Sequence, residues 1–331
     1  MKKLAMLVVL LVMPVVAFAG PITSLYVIGD SLSDQGNAFA LTGGFPPPPY
    51  AQRASNGPVA VERMAQLLGV PLVASQLGGT NYAVVGATTG PVQIPGAPPG
   101  VTTENISEVE FGLPQLAGTS LLSQVAQIIN AGPLVDPDGA LFMVWGGAND
   151  LFLSPTAGTA VNAVTNLGQS ILALYGFGAR HFFVPNLPDL SSTPAAGALS
   201  PAERAGLQAL SIGFNNLLAA QLIALSSLPG IDITAFDDFS FFNAFLANAG
   251  ANGFTNTTSP CLVGTPPNAT VCADPNSFVF WDTVHPTAAA HQAIGDAFAN
   301  AVQPVPEPAT LTLLGLGVGL AAIVRRRQPR T

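Results

Sequence analysis

Apolar positions along the chain follow two periods, one suited to strands and one to helices. Leu25, Tyr26, Val27 and Ile28 make a short β-type run that stops at Gly29, and Ala140-Leu141-Phe142-Met143-Val144-Trp145 is apolar throughout. An uninterrupted run of that length predicts a strand buried on both faces, as in a parallel sheet. Arg180-His181-Phe182-Phe183-Val184, closed by Pro185, and residues 231–236 predict two further strands. Helical spacing appears in Val61, Met64, Ala65 and Leu68, a helix expected to open at Asn56-Gly57-Pro58 and to end at Gly69. Residues 114–130, 156–175, 239–249 and 286–302 also read as helices. Ser200-Pro201-Ala202-Glu203 combines a hydroxyl cap, a first-turn proline and a capping-box glutamate, opening a helix to about Ser227.

Three stretches carry neither long period. Phe45-Pro46-Pro47-Pro48-Pro49-Tyr50 predicts a stiff polyproline II segment. Residues 77–90 are glycine-rich around a β-like Tyr82-Ala83-Val84-Val85 core. Residues 91–114 hold many prolines and the acids Glu104, Glu108 and Glu110, and predict a long mobile loop over the surface. Elsewhere strand and helix alternate, which implies an α/β fold with a parallel sheet and helices on both faces.

The ends read as addressing segments. Lys2 and Lys3 precede an apolar run to Phe18, and Ala17-Phe18-Ala19 fits a small-x-small cleavage site, so residues 1–19 are expected to be a signal peptide read by the Sec machinery. At the other end Val305-Pro306-Glu307-Pro308 leads into uncharged residues 309–324 and then Arg325, Arg326 and Arg327. At ~1.5 Å per residue that apolar stretch reaches about 24 Å, tight for a ~30 Å hydrocarbon core. The arginines would stay cytoplasmic and leave the main domain outside. Residues 305–331 resemble the PEP-CTERM sorting signal of Gram-negative bacteria, which implies transient anchoring in the inner membrane and removal by an exosortase; an ordinary tail anchor is the alternative. The expected destination is the periplasm, cell surface or extracellular matrix, and residues 20–304 remain as one domain.

In that domain the only basic side chains are Arg53, Arg63, Arg180 and Arg204, with no lysine, against every carboxylate of the chain except Glu307. Nucleic acid, which needs a cationic face, is not an expected partner. Cys261 and Cys272 are the sole cysteines. In an exported chain they read as a disulfide stabilising by about 3 kcal/mol, with two free thiols as the alternative. Zinc is disfavoured, since no second Cys pair or His-x-His group stands near them, and no cofactor is expected.

Candidate chemistry starts at Gly29-Asp30-Ser31, where a strand breaks and leaves a hydroxyl at the C-terminal edge of the sheet, the place open α/β folds bind ligands. A serine nucleophile needs a base and an oxyanion site. Of three histidines, His181 opens a strand and reads as structural, and His291 lies within the last helix as a surface or packing residue. His285 sits in Asp282-Thr283-Val284-His285-Pro286, where Asp282 can hold one ring nitrogen and leave the other for Ser31. Asn149, in Gly146-Gly147-Ala148-Asn149-Asp150 after the most apolar strand, can offer an amide, and Gly86 a backbone N–H.

With these residues the chain resembles the GDSL esterases and lipases, or SGNH hydrolases. The matching blocks are residues 29–37 (Ser31), 81–87 (Gly86), 147–150 (Asn149) and 282–286 (Asp282, His285), in the family's order. Residues 53–59 resemble its lipase-like branch. The resemblance implies a three-layer α/β/α sandwich with a flavodoxin-like sheet. It also implies a Ser31–His285–Asp282 triad and an oxyanion hole of Ser31, Gly86 and Asn149. The expected partner is an ester substrate, either an acyl lipid or an acetylated glycan of the exopolysaccharide matrix. An acyltransferase would use the same residues, and a non-catalytic matrix protein is the rival from another class. Two departures stand out: Val85 where relatives often have glycine, expected to stiffen the oxyanion loop, and Ala54 and Ala60 where they often carry aromatics, expected to enlarge or flatten the acyl site.

Overall fold

The computed structural model describes residues 21–303; the signal peptide and sorting segment read from the sequence lie outside the described residues. In chain order the first elements are β1 (Ser24–Gly29), α1 (Asn37–Thr42), α2 (Ala60–Leu68), β2 (Ala87–Gln93), β3 (Thr102–Asn105), α3 (Ile106–Glu110) and α4 (Leu121–Asn130). Then come β4 (Ala140–Trp145), α5 (Ala148–Leu153), α6 (Ala157–Phe177), β5 (His181–Pro185), α7 (Pro194–Gly197), α8 (Pro201–Leu225), β6 (Asp232–Phe236) and α9 (Asp238–Ala247). Short strands β7 (Asn256–Pro260), β8 (Leu262–Val263), β9 (Thr270–Val271) and β10 (Phe278–Phe280) precede α10 (Ala288–Val302).

The central sheet runs β1-β4-β5-β6, all parallel, with β1 and β4 in register from Ser24–Ala140 to Gly29–Trp145. Beyond β1 the chain at 81–84 continues the sheet without forming a regular strand. Asn81 bridges Val27, the Tyr82 N–H donates to the Val27 carbonyl at 2.8 Å, and the Val84 N–H to that of Gly29 at 3.2 Å. Counting this edge, the order is that of flavodoxin-like sheets, and the reversal of direction falls between β1 and β4. One face is covered by α4, α6 and α8 around Phe142, Phe182 and Phe214; the other by α2, α9 and α10 around Met143, Phe183 and Phe298. That is the three-layer α/β/α arrangement.

Several boundaries differ from those read in the sequence. The first long helix opens at Ala60 rather than at Asn56, because the Glu62 carboxylate accepts the Val59 N–H and closes the first turn there. Residues 45–50 turn instead of extending as polyproline II, and the Tyr50 N–H donates to the Pro47 carbonyl. The helix expected over 114–130 begins only at Leu121, capped by Ser120, since Gly118 has a φ of 68° that interrupts it. Residues 91–114 are not a mobile loop. They hold the β2–β3 hairpin and α3, fastened by Asn105, which caps α3 and donates to the Val85 carbonyl and the Thr119 hydroxyl. By contrast the capping box at Ser200 and Glu203 forms as expected, and Cys261 and Cys272 are joined in a disulfide.

Candidate active site

Ser31 follows β1 by two residues, and the loop carrying it is tied down on both flanks. Gln124 of α4, fully buried, accepts the Gly29 N–H, which has no backbone acceptor among the described residues, and donates to the Gly29 carbonyl beside the Val84 N–H. Asp34, also buried, accepts the N–H groups of Gly36, Asn37, Ala38 and Val85. The last of these couples the serine loop to the segment carrying Gly86. A side chain at Gly29 would press on the Trp145 carbonyl, so the last residue of the strand must be glycine.

His285 and Asp282 share one turn between β10 and α10. Asp282 Oδ1 accepts the N–H groups of Val284 (2.9 Å) and His285 (2.8 Å), which fixes the carboxylate against its own backbone. His285 Nδ1 lies 2.8 Å from Asp282 Oδ2 and 3.0 Å from Oδ1, and His285 Nε2 lies 2.9 Å from Ser31 Oγ. With Asp282 accepting from Nδ1, Nε2 is the unprotonated nitrogen facing the hydroxyl. Burial alone would raise the Asp282 pKa, but the charge and hydrogen bond of His285 with the two backbone donors hold it below the ordinary carboxylate value. Burial works to lower that of His285, yet Asp282 and the nearby Asp30 hold it above the ordinary imidazole value. Asp30 itself is raised to about 6, by burial first, against the Leu32 N–H and the charge of His285.

Gly86 and Asn149 line the same cavity as Ser31 and His285. Gly86 has a φ of 79°, and a Cβ there would strike Asn105 Oδ1 and Ser107 Oγ. Only glycine therefore fits both the backbone conformation and the space. Its carbonyl accepts the Ile106 N–H at 2.8 Å, while among the described residues no protein acceptor takes the N–H of Gly86 or of Ser31. Asn149 opens α5 and donates one amide hydrogen to the Ala87 carbonyl at 2.9 Å, which orients the amide and leaves its second N–H unused. Thr89 donates to the buried Asp150 through its N–H and its hydroxyl, pinning the start of α5 to β2.

The cavity has a volume of about 910 Å³ and a largely apolar wall that includes Phe45, Ala54, Phe111, Leu113 and Phe152. Of the two alanine departures only Ala54 reaches it; Ala60 is packed at the head of α2, where its N–H meets His291 Nδ1, so it shapes the core and not the acyl wall. Val85 keeps its N–H on Asp34 and so belongs to the fixed part of the loop. His181 pairs loosely with Asp232 at 3.4 Å on the far side of the sheet edge, a structural place as read. His291 is a packing residue, not a surface one: it is buried, and burial lowers its pKa to about 3. Sequence reading gave Tyr50 no role beside the site, although its hydroxyl donates to Asp282 Oδ2 at 2.9 Å. Nothing in a proline run signals that contact. Asp34 was visible within the first block, but not its four donors.

A hydroxyl, an imidazole and a carboxylate in line at the C-terminal rim of a parallel sheet, facing two further hydrogen-bond donors, define a hydrolase-type site on an α/β fold. The profile of the GDSL-like Lipase/Acylhydrolase family matches residues 25–298, and the chain belongs to that family. A second profile, the PEP-CTERM protein-sorting motif, matches residues 304–328, the mark of exosortase-dependent export to the Gram-negative cell envelope. Among curated proteins the chain is similar to acetylajmalan esterase 2 of Rauvolfia serpentina, 30% identical over 83% of this chain and 88% of that one. It is also similar to thermolabile hemolysin of Vibrio parahaemolyticus, 27% identical over 83% of this chain, though it spans only 62% of that protein. A solved structure from Veillonella parvula, a member of the lipolytic protein G-D-S-L family, aligns with a TM-score of 0.44 at 13% identity, covering 85% of this chain and 97% of that one.

Proposed function

We propose that the protein is an exported serine esterase or lipase that cleaves carboxylic esters through a Ser31–His285–Asp282 triad. The observation carrying this reading is the unbroken hydrogen-bond run from Ser31 Oγ through His285 to Asp282. His285 takes the Ser31 proton as Oγ bonds to the ester carbonyl carbon, and the carbonyl π electrons move onto oxygen. The N–H groups of Ser31 and Gly86 and the free amide hydrogen of Asn149 receive that oxyanion. Collapse breaks the bond to the leaving alcohol, which departs with the proton from His285. Water then repeats the sequence on the acyl-enzyme, releasing the acid and restoring Ser31. Asp282 holds the imidazole in one tautomer and stabilises the imidazolium.

The apolar cavity favours an acyl lipid, in keeping with relatives named as lipases and as a hemolysin. An acetylated matrix glycan is the competing substrate, supported by the sorting motif and by the relative named acetylajmalan esterase 2. In this reading residues 1–19 are removed on export, residues 20–304 form the catalytic domain, and the tail from 305 is the sorting segment. Ser31→Ala and His285→Ala are each expected to abolish hydrolysis of short p-nitrophenyl esters while the thermal melt stays cooperative. A fluorophosphonate is expected to label the wild type and not Ser31→Ala. Turnover retained in either variant would overturn the assignment. A panel of acyl glycerides, phospholipids and acetylated glycans separates the two substrate classes.

A further inference from the structure

We infer that Tyr50 is a positioning residue of the triad, its phenol holding the Asp282 carboxylate toward His285 and moderating the basicity of that histidine. The inference rests on the triad reading above. Asp282 offers about four acceptor positions. Oδ1 is taken by the Val284 and His285 backbone N–H groups, and Oδ2 by the Tyr50 hydroxyl at 2.9 Å together with His285 Nδ1 at 2.8 Å. Tyr50 is the one side chain from a distant part of the chain among these donors, 232 positions from Asp282.

Its placement is built, not incidental. The ring meets Trp281 edge-on at 6.1 Å, and the residues that follow grip the same turn twice more. The Ser55 hydroxyl donates to the Pro286 carbonyl at 2.8 Å, and the Ala288 N–H donates to Asn56 Oδ1 at 2.7 Å. Arg53 and Glu62 close an ion pair across the base of this segment. The chain from 50 to 56 therefore clasps the histidine turn at three points, and only the Tyr50 contact reaches a reacting group's partner. Just before this stretch Phe45, Pro46 and Pro47 line the substrate cavity, so the wall and the base share one support.

A phenol donating to a carboxylate disperses its negative charge, and a carboxylate so engaged stabilises a neighbouring imidazolium less. Without the hydroxyl, Asp282 draws the proton on His285 more strongly and is held less firmly. The other groups facing His285 are Asp30 and Ser31 from the loop after β1 and His291 from α10; none is altered by changing Tyr50.

The test is Tyr50→Phe, which keeps the ring against Trp281 and removes only the hydroxyl. The acid limb of the kcat/KM profile is expected to move to higher pH by about half a unit or more, the direction set by the stronger pull of Asp282. Plateau kcat is expected to fall about fivefold or more with KM changed less than about twofold, the pattern of a group acting through the transition state. The His285 ring resonances, followed by NMR across the same pH range, are expected to titrate higher in the variant than in wild type. An unchanged His285 titration in a variant that melts like wild type would overturn the inference. That titration needs no turnover, so it judges Tyr50 even if the wild-type protein cleaves no ester, an outcome that would instead remove the triad reading.

Discussion

Asn149 carries the sharpest residue-level expectation. Its amide is held by the Ala87 carbonyl with one hydrogen to spare. Asn149→Ala is therefore expected to lower kcat by about 10²–10³-fold with little change in KM, since an oxyanion donor acts mainly in the transition state. Steady-state kinetics on one p-nitrophenyl ester decides it. The pH profile follows from His285, which must be neutral to act as base while Asp282 and Asp30 keep its pKa above the ordinary 6.5. Activity should thus rise with pH, with a midpoint above that value, and a flat profile from about pH 5 to 8 would exclude a histidine base. At this scale the sequence was most legible where chemistry requires a residue type at a fixed chain break: Ser31 after a strand, Asn149 after two glycines, the acid three places before His285. It was least legible where a role depends on a distant contact, as with Tyr50 or with Gln124 bonded to both the N–H and the carbonyl of Gly29.

Elements with a strong internal period came through with their ends nearly right: β1, β4, β5, β6, α6 and α8 all lie where alternation and capping put them. Of the stretch between β1 and α4, only the helix ending at Gly69 came through in that way. There the sheet edge at 81–84 is held by three backbone contacts and by buried Asn37 and Asn81, so tertiary bonding replaced any local signal. The β2–β3 hairpin hid behind prolines, which fit it because its two strands form a separate pair outside the main sheet. The disulfide element gives a separate expectation. Cys261–Cys272 closes a loop whose Leu262, Val263 and Thr265 line the cavity. Replacing both cysteines by serine should cost about 3 kcal/mol by the loop-entropy account. A lowered denaturation midpoint with triad chemistry intact on short esters is the expected result.

For the whole molecule the buried ionisable groups set how stability varies with pH. Asp238 is raised to about 8 by burial and by its neighbour Asp237, and Asp150 to about 7, chiefly by burial. A carboxyl whose folded-state pKa exceeds its unfolded value favours the fold while protonated, and that contribution is lost as pH climbs through the folded value. His291, lowered to about 3, works the opposite way: its contribution is present above the unfolded imidazole value and is lost as pH falls toward 3. The two trends oppose each other in mild acid, and above the ordinary imidazole value only the loss remains. The melting temperature is therefore expected to fall from about pH 6.5 to 8.5. Asp238→Asn should flatten that fall, a difference read directly from melts at the two ends.

The order in which the parts of the site appear along the chain has a consequence for biosynthesis. Ser31 precedes His285 by 254 positions, and the rest of the sheet after β1, every covering helix but one and the disulfide loop are made in between. A polypeptide leaving the ribosome, or threading a translocation pore amino end first, exposes an inert alcohol long before its activating imidazole arrives. With the proposed triad, ester cleavage is expected to start only after the final turn has closed against the first strand. On the proposed triad, an ester hydrolase of this family is thus kept silent until export is nearly done by nothing more than the sequence of delivery.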